Sequence, residues 1–459
     1  MITIRRRLIV WLIKAYLRKM GKRIMLYFAV GVLVFFVLYL FLKYVLPKHT
    51  SYQKETIGIV GAYITDDLPQ NILYRISRGL TTVTKDGASK PDIARDWRVE
   101  DNGKTYIFSL KTNIYFSDKE KLTSDLIHYN FSDVTIERPD KYTIVFKLKS
   151  AYSPFLITVS RPIFKKGFIG VGSYKIKNIE LNGDFVESIE LVSVDNKKRL
   201  AYEFYPTFAA AKTAFVLSDV SKIIDMPDVN FKKTSFYNFK NAHVDKKVNY
   251  KQLVTLFYNT QDKNLSSKTL REALYHTIPN NFDEGLRNFG PFSPFSFAVQ
   301  EGLNTYQQDI SHARLLLEKF KIASPSAKIS LKLDTLSYYK KTAEKIAKIW
   351  NSIGIETKIQ TVDKVPSNFQ VFLGEFSLSQ DPDQYVLWHS DQISNITHYS
   401  NLRIDKLLED GRQTQDIEER KKIYADFQKY ILSDPPASFL FFPYVYDVTR
   451  RLFIQGDSL

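Results

Sequence analysis

From Ile24 to Leu42 the chain reads IMLYFAVGVLVFFVLYLFL, apolar on every side and without a charge. At about 1.5 Å rise per residue such a run covers roughly 28 Å, close to the hydrocarbon thickness of a bilayer. A soluble helix of this length keeps a polar stripe. The pattern therefore predicts a transmembrane helix over 24–46. The shorter apolar stretch Leu8 to Leu17 carries Lys14 and is too short to span, and is expected at the inner membrane interface. Residues 47–56 read as a linker. The apolar period then changes to two. The run 57–64 ends at Asp66 and Asp67, and 105–111, 142–149, 173–179 and 187–194 alternate as half-buried strands do. Asp101-Asn102-Gly103 marks the turn before the second of these.

Helical spacing takes over later. Ser267 precedes a helix through Leu270, Ala273 and Leu274. Over 338–353 the residues Ala343, Ile346, Ala347, Trp350 and Ile353 share a face, and Gly354 provides the stop before an alternating strand at 355–362. Another helix covers 416–432, with Ile417, Ile423, Tyr424, Phe427 and Ile431 inward and Pro435-Pro436 behind it. Helix leading directly to strand makes an α/β unit.

Charge sets the orientation. Arg5, Arg6, Arg7, Lys14, Arg18, Lys19, Lys22 and Arg23 precede the apolar run and no acid does. Basic residues stay on the cytoplasmic side, so residues 1–23 form a cytoplasmic tail and the body lies outside. No small-residue cleavage pattern follows the run, and an uncleaved single-pass anchor in the cell membrane is expected. Of the net charge of +16, the first 48 residues supply ten Lys/Arg and no acid, leaving +6 for the rest. The body has no dense basic stripe, which argues against a nucleic-acid partner. With 44% hydrophobic and 14% aromatic residues it is a folded protein.

The chain has no cysteine, which excludes disulfides, a thiol nucleophile, thiolate metal sites and a lipid-bearing cysteine. Its seven histidines (His49, His128, His243, His276, His312, His389 and His398) form no H-x-x-x-H or HExxH pair, so no metal or other cofactor is expected. There is no G-x-S-x-G elbow, P-loop or dinucleotide fingerprint, and nothing points to an enzyme.

Short motifs in a fixed order carry more. Within 79–131 the positions Gly87, Pro91, Ala94, Trp97, Gly103, Tyr106, Phe108, Leu110, Phe116, Ser117, Asp118, Leu122 and Asp125 fit one pattern. GVGSYKIKN at 170–178, the segment 254–277, GPFSPF at 290–295, DISHARLLL at 309–317, GEFSLSQDPDQYVLW at 374–388 and the block 398–445 continue it. Together these resemble the family 5 extracellular solute-binding proteins, receptors of oligopeptide, dipeptide and nickel ABC importers, over roughly 55–445.

The resemblance implies an α/β, two-lobed, periplasmic-binding-protein-like type II fold with a hinge, behind one transmembrane helix. Lobe I would cover 57–255, completed by 440–459, and lobe II 256–439. It implies capture of a peptide or other small solute between the lobes, and delivery to ABC permease subunits by a monomeric receptor. The ligand-contacting positions it marks are Tyr63 and Thr65 after the first strand, Tyr258 and Asn259 at the crossover, and Asp381, Asp383, Tyr385 and Trp388 on the cleft loop. Arg271 is expected to be structural. Two departures qualify this. The helical insert between Asn130 and Arg138 is nearly absent, which implies a trimmed subdomain. The position that carries an amine-binding aspartate in peptide binders is Leu378. The alternative is a surface interaction protein that keeps the fold without transport.

Overall fold

The computed structural model describes residues 6–44, 53–300, 302, 306–323 and 329–451. It divides into Met1–Lys54 and Glu55–Leu459. The first unit is one helix, Arg6–Tyr44. At about 1.5 Å per residue, its 39 residues extend about 58 Å, well beyond what a bilayer core requires. Leu8–Leu17, expected at the inner interface, is helical and continuous with the apolar run. Among the described residues this is one helix long and apolar enough to cross a membrane, over Arg18–Tyr39. Phe28, Leu33, Phe35 and Val37 are all more than half exposed on it. Val45, Leu46 and most of the linker, 47–52, lie outside the described residues.

The second unit is organised by a twelve-stranded sheet. One half contains parallel strands Ser330–Leu336, Glu356–Val362 and Val371–Ser377, followed by the antiparallel Gln252–Tyr258. The other contains Gln53–Val60 parallel to Lys222–Met226, and an antiparallel set Tyr174–Asn182, Phe185–Ser193 and Lys198–Tyr205. One long strand, Ala437–Arg450, joins them. Its first part pairs with Val254–Phe257, and its later part with Ala242–Val248 and with 222–226. The change of partner falls at Pro443, which has no N–H to donate to a ladder. The second connection lies alongside, where Asn249 N–H donates to the Pro443 carbonyl at 2.9 Å. The segments 249–251 and 442–444 thus run side by side between the halves.

The first strand begins at Gln53 and ends at Val60, four residues before the expected end at 64. Gly61, at φ +146°, takes the chain out of the sheet, and its missing Cβ is where the Tyr63 ring lies, 2.5 Å from an ideal Cβ. The helix Lys340–Ser352 buries Ala343, Ile346, Ala347 and Trp350, as the periodicity predicts. Gly354 closes it at φ +85°. A 3-10 turn, Ser337–Tyr339, replaces its expected first residues. The helix Ile417–Ser433 buries Tyr424, Phe427 and Ile431, and Asp416 caps it by accepting from Glu419 N–H.

Within the first half in sequence, between strands 53–60 and 174–182, sits a separate four-stranded sheet of Ala94–Glu100, Thr105–Leu110, Val134–Asp140 and Thr143–Leu148. It has its own core around Tyr106, Phe108, Phe146 and Phe155. Residues 127–133 hold no helix, in keeping with the short insert, yet the subdomain keeps a complete apolar centre.

Candidate functional site

Parallel strands leave their carboxyl ends as the edge at which α/β sheets bind ligands. Here that edge occurs twice, and both copies face the hinge. On the first half, strands 53–60 and 222–226 end at Tyr63–Asp67 and at Asp225. On the second half, strands 330–336, 356–362 and 371–377 end at Tyr338-Tyr339, at Asp363 and at Leu378. Leu378 N–H donates to the Lys251 carbonyl in the hinge at 2.8 Å. The two edges bound the cleft.

Tyr63 is half-buried and packs on Phe204 at 5.3 Å between centroids, with Asp67 and Asp225 as charged neighbours. Burial first, then those two acids, raise the pKa of its phenol. Thr65 is half-buried in the same loop. Asp225 sits on an irregularity in the strand pairing at φ +55°, a geometry that re-aims a side chain. Its backbone N–H donates to Asp447 Oδ1 at 3.1 Å. Burial and Asp447 push its carboxyl up, against the pull of Lys247, Lys251 and Lys222. Asp447 itself is buried and paired with Lys247. Sequence reading did not single out Asp225, whose placement depends on this irregular pairing.

The remaining predicted positions are brought to lobe II but are differently engaged. Tyr258 is fully buried, its hydroxyl 2.6 Å from Ser438 Oγ between two strands. Asn259 holds a turn at the far end of its strand, donating Nδ2 to the Phe369 carbonyl at 2.9 Å. Asp381 is 5% exposed and forms a two-pronged pair with Arg420, at 2.7 and 3.0 Å. Asp383 accepts from Arg412 Nε at 3.0 Å and from Tyr385 N–H. The Arg412 guanidinium lies over the Tyr385 ring at 4.2 Å. Trp388 is buried and donates Nε1 to Gln384 at 2.8 Å. Arg271 has the structural role expected, binding Asp434 and the carbonyls of Pro435 and Leu265. The cleft loop is thus held by charge pairs to the helices behind it, and this region also meets the segments flanking the small sheet. Ser153 N–H donates to the Arg412 carbonyl at 2.7 Å, and a Cβ on Gly87 would meet the Gln380 carbonyl at 2.5 Å.

Glu375, near the end of strand 371–377, accepts from the Tyr339 hydroxyl. Burial raises its carboxyl pKa, and the Tyr339 bond opposes this only in part. A carboxyl raised in the folded state holds its proton there longer than in the unfolded chain. Its charge therefore subtracts stability as pH rises through the raised value, and the deficit persists at neutral pH. Glu375→Gln is expected to raise the thermal midpoint at pH 7. The gain should vanish below about pH 4, where the unfolded carboxyl is also protonated. Thermal unfolding at the two pH values checks this.

Among the described residues no group of three His, Asp or Glu is placed to hold a metal ion.

Comparison with known proteins agrees with this geometry. The family model described as bacterial extracellular solute-binding proteins, family 5 Middle, matches residues 88–397. The oligopeptide-binding protein AppA of Bacillus subtilis is 23% identical over 461 residues, covering 83% of each chain. The probable D,D-dipeptide-binding periplasmic protein DdpA of Escherichia coli is 22% identical, over 76% of this chain and 78% of that one. Among solved structures, NikZ from Campylobacter jejuni in complex with Ni(L-His) superposes with a TM-score of 0.69 at 20% identity, covering 86% of this chain and 94% of that one. CtaP from Listeria monocytogenes gives 0.71 at 18% identity, covering 87% and 94%. At such identities the structures establish the fold, a two-lobed type II binding protein.

Proposed function

The chain belongs to family 5 of the bacterial extracellular solute-binding proteins, and from that premise we propose that it captures a short peptide or comparable small solute between its lobes and delivers it to the permease of an ABC importer. It is a transport receptor and not an enzyme. Family members work outside the cytoplasm; in this chain the helix Arg6–Tyr44 is proposed as a single-pass, uncleaved tether with its basic end inside. The receptor is taken to act as a monomer.

The observation that carries this reading is the hinge. Two adjacent segments, 249–251 and 442–444, connect halves whose ligand-binding edges face each other. Closure of such lobes around a ligand needs φ/ψ change in only a few residues. We set the lobe limits at these segments instead of at 256 and 440. Of the positions marked in the sequence, Tyr63, Thr65 and Tyr385 remain the proposed solute contacts, joined by Asp225. Asp381, Asp383, Tyr258 and Asn259 support the walls through the bonds described above.

The test is native mass spectrometry of the full chain in detergent micelles, incubated with a pool of tri- to pentapeptides. One retained peptide per chain is expected. A chain that emerges empty from peptide pools and from cell extract contradicts the proposal and favours an interaction protein that kept the fold, a reading to which Leu378 already lends weight.

A further inference from the structure

Lobe II contains an apolar cavity of about 160 Å³. Its floor is the sheet face bearing Phe257, Phe372 and Phe376, and Leu387, Trp388 and Ile396 form the opposite wall. Phe372, Gly374 and Phe376 alternate onto one face of their strand. Gly374, paired with Thr255, leaves a gap between the two rings, and the Phe372 ring leans into it, 2.4 Å from where a Cβ would stand. The connection from strand 356–362 to the parallel strand 371–377 is also short. Parallel strands are usually joined by a dozen or more residues with a helix that covers the sheet. Residues 363–370 contain no helix, and Val365, 45% exposed, stands at the edge of the cavity.

The chemistry of the lining is one-sided. Its polar side chains are already bonded elsewhere. Ser394 Oγ donates to the Val386 carbonyl, Thr397 Oγ1 to Asn395 Oδ1 at 2.7 Å, and Trp388 Nε1 to Gln384. Glu375 contributes to the rim, and its carboxylate holds Tyr339 on the other face of the strand. The hydroxyl and indole donors of the lining are thus spent within the protein, and the surface facing the space is mostly apolar. A cavity of this size with such a lining stays dry and takes an apolar group about the size of benzene. Its Val365, Glu375 and Phe376 side lies at the carboxyl ends of strands 356–362 and 371–377, which border the cleft.

We infer that this cavity is a side-chain pocket of the solute site and that it selects solutes carrying one aromatic or branched aliphatic group, such as a Phe or Leu side chain. The inference rests on the solute-capture reading above. The Trp388 indole forms one wall, so occupancy is also visible in its fluorescence.

The test uses the full chain in micelles and a pool of tetrapeptides of Gly and Ala, each with one Gly, Ser, Leu, Phe or Trp placed at any of the four positions. Retained peptides are read by native mass spectrometry. Wild type is expected to retain Leu and Phe peptides at least tenfold over the Gly and Ser peptides, with a shift in Trp388 emission. Ile396→Phe, which fills the space, should flatten that preference. Leu387→Ala, which widens it, should move the preference to Trp and guards against misfolding of the filled variant. Equal retention of all peptides by wild type overturns the pocket while solute capture stands. Retention of none overturns the capture reading, and the pocket with it.

Discussion

Replacing Arg420 with Ala is expected to destabilise the body by about 3–5 kcal/mol, the usual consequence of leaving a buried charge without its partner. The Arg420 and Asp381 side chains are 7% and 5% exposed and meet in a two-pronged geometry. Arg420 also donates to the Gly411 carbonyl at 2.9 Å and lies beside the rings of Phe297 and Tyr424. Removing it leaves the buried Asp381 carboxylate without its counter-charge and a carbonyl unmet. Asp381→Ala should cost a similar amount. Because both variants break one interaction, the double variant Asp381→Leu with Arg420→Met should cost far less than the sum of the two single changes. Urea unfolding of the full chain in detergent, followed by tryptophan fluorescence, measures all four species. Additive costs would show that the pair does not hold the cleft loop.

The second large effect concerns the membrane. Leu33 and Val37 stand one helical turn apart on the apolar run and are 64% and 59% exposed. Arginine near the centre of a spanning helix costs about 2.5–3.5 kcal/mol per residue on insertion scales. Leu33→Arg together with Val37→Arg should therefore abolish stable insertion and leave the body in the soluble fraction, still folded. Wild type should stay with membranes through an alkaline carbonate wash. A wild-type chain released by that wash, or a double variant that resists it, would contradict the tether.

The sequence exposes some elements and hides others for a physical reason. Strand 105–110 and helices 340–352 and 417–433 bury mainly one face, so polar and apolar residues recur at the proper period. Gln252–Tyr258 and Val371–Ser377 are buried almost throughout, which erases the period of two. The hinge strand is masked similarly, and Pro435-Pro436 and Pro443 break its reading as a single element. Site residues divide along the same line. Tyr63, a proposed contact, can be marked from the sequence because it follows a recognisable strand. Asp381 and Asp383 were legible as acids on a cleft loop, but their partners lie 39 and 29 residues away. Only the fold shows that both carboxylates are already committed. Asp225 depends on an irregular strand pairing that no periodicity signals.

The central claim is that two lobes close on a solute about the segments 249–251 and 442–444. The chain has no cysteine, so a spin-label pair can be introduced cleanly. Asp66→Cys and Lys364→Cys place labels on exposed residues just beyond the carboxyl ends of strands 53–60 and 356–362, on opposite sides of the cleft. Pulsed dipolar distances are then measured on the full chain in nanodiscs, with and without the peptide pool. The account predicts a longer, broader distribution without peptide and a shorter, narrower one with it. Identical distributions, with peptide demonstrably bound, would contradict it.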